Sequence, residues 1–205
     1  MAKVHPHLLF SPSASPSRSL SQEETEKFTV WMKSLVLNGN GCTIYDATGN
    51  IVYRIDNYDT KCSSQVFLMD LKGKVLSTLI RKKLRLNEHW CGYKNDRVKN
   101  DKPWFRVNKI SKVFNKNGDG FSCQVTMEDN ESQALSCFKI QGCVQKSEFK
   151  IIRGDGLVVA EVKRKQSTSG VMLGDDVLSL EVQPNMDNAF IISLVVVHGL
   201  ISHKI

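Results

Sequence analysis

The sequence has no CxxC pair, and no His stands close enough to any of its six cysteines (Cys42, Cys62, Cys91, Cys123, Cys137 and Cys143) to complete a zinc quartet. The commonest structural-metal signatures are therefore missing, and the cysteines read as free thiols in a reducing compartment. Residues 1–22 lack the apolar core of roughly 7–15 residues that a secretory signal needs, and Met1-Ala2 excludes myristoylation. There is no Walker loop, and Gly39-Asn40-Gly41 opens no helix after a strand, so a dinucleotide-binding turn is not indicated. His89 and Cys91 alternate about Trp90 and share a strand face, but no base or oxyanion donor marks them as catalytic. No enzyme, cofactor or metal is expected.

The 205 residues, 41% apolar and 24% charged, have an ordinary globular balance and can bury one core. Residues 1–22 are rich in Ser and Pro, contain no acid, and carry Lys3 and Arg18 as their only Lys or Arg. Such a stretch cannot bury enough surface to offset its ordering entropy, so a disordered lead is expected there, with one domain over 23–205.

From about Lys27 the dominant signal is period-two alternation broken by Gly and Asn turns, the mark of antiparallel strands. Three hairpins stand out: 43–46 with 51–55, 66–69 with 75–80, and 149–152 with 157–162. In each a Gly supplies the positive φ of a tight turn, and in the first two an Asp can accept from the turn's amides. Further strands are predicted at 28–33, 88–94, 104–112, 121–127, 136–142 and 177–183, about eleven or twelve in all. That many strands must stack as two sheets or close on themselves to hide their edges.

The only long apolar run follows Pro184 and a capping Asp187, from Ala189 to Ile201. As a helix these thirteen residues span about 20 Å, short of a hydrocarbon core of about 30 Å. As a terminal strand the run is too long. A helix over 187–201, apolar on nearly every side, needs protein around its whole circumference, which the inside of a closed barrel supplies. Eight large side chains at about 1.5–3 kcal/mol each make its burial a leading source of stability. His198 on this run reads as a core histidine, and Trp31, Trp90 and Trp104 as core or rim residues.

At this point four blocks resemble a known family. Gly-Cys-Thr-Ile-Tyr-Asp-Ala-Thr-Gly-Asn-Ile-Val-Tyr-Arg-Ile-Asp (41–56), Val-Phe-Leu-Met-Asp-Leu-Lys-Gly-Lys-Val-Leu (66–76), Val-Val-Ala-Glu-Val (158–162) and Asp-Val-Leu-Ser-Leu-Glu-Val-Gln-Pro-Asn-Met-Asp-Asn-Ala-Phe-Ile (176–191) are similar to the plant LURP-one-related proteins. The resemblance runs in order from about residue 28 to 201. It implies a mainly β, tubby-like fold: a closed antiparallel barrel of about 12 strands around a hydrophobic C-terminal helix, shared with tubby proteins and phospholipid scramblases. It further implies a plant protein, kinship with membrane-tethered transcription factors whose tether is phosphoinositide, and a link to defence.

Charge is unevenly spread. Residues 72–116 hold fourteen Lys or Arg against three acids, a local +11 in a chain of net +7. Alternation places Arg81, Lys83 and Arg85 on one face as a cationic stripe, with Ile80, Leu84 and Leu86 turned to the core. The candidate anion and lipid residues are Arg81, Lys82, Lys83 and Arg85, with Lys163, Arg164 and Lys165 as a second group. Tubby proteins hold phosphoinositide through a Lys/Arg cluster, but no single residue here inherits that role. Anionic membrane phospholipid is the first partner expected, nucleic acid the second, and a scramblase-like activity the third. Asn115-Lys116-Asn117-Gly118-Asp119-Gly120 imitates the start of a calcium loop, but Thr126 occupies the twelfth place, so it reads as a hairpin. A monomer is expected, cytoplasmic, with peripheral plasma-membrane and nuclear locations as further expectations.

Overall fold

The computed structural model describes residues 24–32, 40–60, 63–84, 87–96, 98, 102–115, 118–128, 135–143 and 147–202; the Ser/Pro-rich lead lies outside them. Twelve strands follow one another along the chain: β1 (Glu26–Trp31), β2 (Asn40–Tyr45), β3 (Ile51–Thr60), β4 (Ser63–Asp70), β5 (Val75–Leu84), β6 (Asn87–Lys94), β7 (Phe105–Asn115), β8 (Gly118–Glu128), β9 (Leu135–Cys143), β10 (Glu148–Arg153), β11 (Val158–Arg164) and β12 (Val177–Val182). Each is antiparallel to the next, and β12 pairs with β1, so the sheet closes into a barrel. Closure satisfies the unpaired backbone that an edge strand would leave. The calcium-like segment is the β7–β8 hairpin, with Asn115 opposite Gly118.

The three hairpins singled out from the sequence are one turn used three times. Gly49, Gly73 and Gly156 sit at φ +85°, +78° and +91°, and each donates its N–H to the carbonyl three residues back, on Asp46, Asp70 and Arg153. The Asp46 carboxylate accepts from the amides of Thr48 and Asn50, as Asp70 does from Lys72 and Lys74. These side-chain bonds fix the turn locally. Because neighbouring strands alternate in direction, all three turns lie at the same end of the barrel, the turn end.

The chain then folds into its own barrel. The 14-residue α1 (Asn188–Ile201) begins at the turn end, where Asp187 accepts from the amide of Phe190 at 3.2 Å. Every residue from Phe190 to Gly199 is buried, which only surrounding protein can achieve for a helix without a polar face. Phe190 is gripped by Trp104, Phe105 and Phe138 at ring separations of 5.3, 5.3 and 5.2 Å. Nearer the opposite end, the exit end, His198 is buried and stacks on Phe149 at 3.9 Å. Among the described residues no helix is long and apolar enough to cross a membrane.

Candidate anion-binding surface

The phase of β5 decides which cations the barrel displays. Its pairing with β4 shifts register between Leu68 and Met69, after which Leu79 stands opposite Val66. Both are fully buried in the barrel core. Ile80 instead joins Cys91, Tyr93 and the partly buried Val98 in a separate small cluster. Residues directly opposite in an antiparallel pair share a face, and Arg81 is opposite Trp90, a core residue.

At Ile80 and Arg81 the expected facing is therefore inverted. Arg81 belongs to the core-facing row and is half-buried, while Ile80 is turned outward. The reason is physical: Leu79 and Ile80 are both apolar, so alternation alone fixes no phase, and the bulge upstream sets it. Lys83 lies in β5 opposite Glu88; Arg85 and Leu86 fall outside the described residues.

Among the described side chains of this segment Lys82 is exposed, and its Nζ lies 5.6 Å from the centre of the Tyr93 ring. A hydrogen bond with Tyr93 raises its pKa. Lys82 is opposite His89, which is opposite Asn108; on the next row Ile80 is opposite Cys91, which is opposite Arg106. The outer face of β5–β7 thus gathers Lys82, His89 and the exposed Arg106. His89 registers their field. Its pKa is lowered by burial first and then by the charges of Arg106 and Lys82. The Cys91 thiol beneath is pushed up by burial, against the pull of the same two cations, so it is a packed thiol rather than a nucleophile. Lys94 lies 5.0 Å from the Trp104 ring centre at the turn end.

The second basic group is held differently. Lys163 pairs with Glu161 at 2.8 Å, and Lys150 reaches the same carboxylate at 3.1 Å. Both lysines hold the Glu161 pKa down. Arg164 meets Asp175 at 3.1 Å, and Lys165 donates to the Thr29 hydroxyl. In the ring of strands β11 lies on the wall opposite β5, so Arg81 and Lys82 on β5 form no single patch with Lys163 and Arg164 on β11. Arg106 and His89 were not among the anion-site candidates picked from the sequence. They join Lys82 only through strand pairing, and nothing in the local pattern gives that register.

A closed up-and-down barrel of twelve strands wrapped around an apolar helix, with its excess positive charge on β5–β7, defines a structural class rather than a reaction. The chain matches the LURP-one-related family over residues 26–199 and belongs to it. It is 42% identical to Protein LURP-one-related 11 of Arabidopsis thaliana over 208 residues, covering 98% of this chain and 89% of that one. Protein LURP-one-related 4 of the same plant is 42% identical over 194 residues, covering 93% and 85%. An X-ray structure of an Arabidopsis thaliana protein shares the fold, with a TM-score of 0.60 at 19% identity over 85% of this chain and 90% of that one.

Proposed function

We propose that this chain is a non-enzymatic binding module that attaches to anionic phospholipid, phosphoinositide in particular, and serves in plant signalling of the defence type. The observation that carries the reading is the outer face of β5–β7, where Lys82 stands opposite His89 and Arg106 one row along, and where burial first and then these two charges lower the His89 pKa. A phosphate at that place would be attracted by both cations and would favour protonated His89 as well. At about 1 kcal/mol per cation near an anionic leaflet, two cations contribute about 2 kcal/mol, or about 30-fold in affinity.

Nucleic acid answers to the same charge, but α1, the one helix among the described residues, is enclosed by strands and cannot enter a groove to read bases. Lipid is the better fit. Flotation of the protein with phosphoinositide-containing vesicles at low salt tests it. Wild type should float, Lys82→Ala/Arg106→Ala should lose about 30-fold in partitioning, and rising salt should weaken both. Failure of wild type to float, or equal flotation by the double variant, refutes the reading.

A further inference from the structure

The second basic group takes no part in the β5–β7 surface, and it leads straight into an exposed turn. Lys163, Arg164 and Lys165 run from the end of β11 into a tip that reads Gln166-Ser167-Thr168-Ser169-Gly170. In the whole chain an Arg stands three residues before a Ser or Thr only at Ser21 and Ser167, and only before Ser167 does a second cation, Lys165, follow it directly. Kinases with acidic substrate grooves select hydroxyls preceded in this way, because their carboxylates fork an Arg and attract a Lys while the chain is aligned.

The fold leaves this hydroxyl within reach. Ser167 is half-buried, and Thr168, Ser169 and Gly170 are exposed. The Ser167 Oγ accepts from the Val171 amide at 3.1 Å and lies 2.8 Å from the Ser169 hydroxyl, both on the exposed surface. The two cations before it are held by bonds that a kinase can exchange. Arg164 meets Asp175 at 3.1 Å, where the Asp175 side chain is 85% exposed, and Lys165 donates to the Thr29 hydroxyl. An ion pair so open to water is weak.

A kinase cleft takes its substrate as extended chain, so the tip must open first. What closes it is a short set of bonds: Ser167 N–H to Val171 at 2.8 Å, Gly170 N–H to Ser167 at 2.9 Å, Leu173 N–H to Lys165 at 3.0 Å, and the Gln166–Met172 bridge. Opening disturbs no packed core, since Val171, Met172 and Leu173 are 63%, 39% and 43% exposed. Exposed hydrogen bonds over little buried apolar surface mark segments that open locally while the rest stays folded. The barrel itself stays shut, because β11 and β12 remain paired from Arg164 opposite Leu178 inward.

We propose that Ser167 is a phosphorylation site for a basophilic Ser/Thr kinase, which selects it through Arg164 and Lys165. The Ser167 Oγ attacks the γ-phosphorus of ATP; its bond to phosphorus forms as the bond from phosphorus to the bridging oxygen of the departing ADP breaks, and the hydroxyl proton passes to the catalytic carboxylate of the kinase. The phosphate adds about two negative charges to a region that is balanced without it, Lys163, Arg164 and Lys165 standing against Glu161, Asp175 and Asp176. The hairpin changes from neutral to anionic. The assignment is independent of whether the barrel binds lipid.

The test incubates the full chain with Mg-ATP and the catalytic subunit of cAMP-dependent protein kinase as the basophilic probe, with an acidophilic casein kinase as control, and locates phosphate by fragment-ion mass spectrometry. Phosphate should appear at Ser167 with the first kinase and not with the second, and Ser167→Ala should abolish it. Arg164→Ala/Lys165→Ala should slow labelling of Ser167 by about tenfold or more. A variant that merely loosened the fold would open the tip and be labelled faster, so slower labelling reports lost recognition. Absence of phosphate at Ser167, an unchanged rate in the double variant, or labelling of Thr168 or Ser169 in its place overturns the proposal.

Discussion

Phe190 is the residue on which threading of the barrel can be tested most sharply. It is 2% exposed, sits in the first turn of α1, and packs edge-on or tilted against Trp104, Phe105 and Phe138. A buried Phe→Ala change costs about 3–5 kcal/mol, and three aromatic contacts, each worth about 0.5–1.5 kcal/mol beyond burial, place Phe190→Ala in the upper part of that range. The site cannot collapse easily, because its walls are strands closed into a ring and the helix is held on both sides of the gap. Against a total stability of about 5–15 kcal/mol, a loss of about 4–5 kcal/mol is large.

Urea unfolding followed by far-UV circular dichroism and by tryptophan emission measures it, with Trp104 at 5.3 Å as the local reporter. With a denaturant slope of about 2 kcal/mol per molar, the midpoint should fall by about 2 M at an unchanged slope. Phe190→Leu should cost about 1–2 kcal/mol. A lower slope for the Ala variant would mean that the helix has left the barrel already in the native state, exposing surface before unfolding. A midpoint shift below about 0.5 M would refute the claim that this helix is the core of the sheet that surrounds it.

Four further outcomes follow from individual contacts. Asp187→Ala removes the acceptor for the Phe190 amide and should lower stability by about 1 kcal/mol in the same melt. Gly142→Ala would place a Cβ 2.2 Å from the Glu148 carbonyl and 2.4 Å from the Phe149 Cβ, forcing β9 and β10 apart, and should cost about 3 kcal/mol or more. Of the described cysteines, Cys137 and Cys143 should react first in thiol labelling of the native protein, whereas buried Cys42 and Cys123, the latter raised to about 12, should react only on unfolding. His89 should titrate below its ordinary 6.5 by NMR. The unfolded chain then binds the proton more readily than the folded one, so the stability owed to neutral His89 is present above the ordinary value and lost as pH falls through the folded value. His89→Gln should reduce that acid loss, and a bound anion should raise the His89 pKa.

Strand number, hairpin positions and the enclosed helix were legible because each rests on a local rule. Period two announces a strand, Asp-x-x-Gly announces the turn in two hairpins, and an apolar run with no polar side demands enclosure. Position along the circumference was not legible in the same way. Lys82, His89 and Arg106 meet through pairings of β5 with β6 and β6 with β7, and a register is a relation between distant segments. The facing of β5 failed for a narrower reason. A run reading Leu79-Ile80-Arg81-Lys82-Lys83-Leu84 offers two phases with an apolar residue in each, and only the shift at Leu68/Met69 chooses between them.

That choice has a functional consequence. Had Ile80 faced the core, Arg81 would stand in solvent and Lys82 would point inward, so the cation beside His89 would be lost. The bulge turns Arg81 to the Trp90 row and brings Lys82 out over Tyr93, on the same surface as Arg106. Bulges re-aim side chains where a regular ladder could not, and here a shift in β4–β5 selects the charges displayed on β5–β7. A change that straightened this pairing would reverse the facing of Leu79, Ile80, Arg81 and Lys82, so the interior could not stay packed while the surface was rearranged. The core therefore enforces the surface: Leu79 seated against Val66 in the barrel interior is what keeps Lys82 outside.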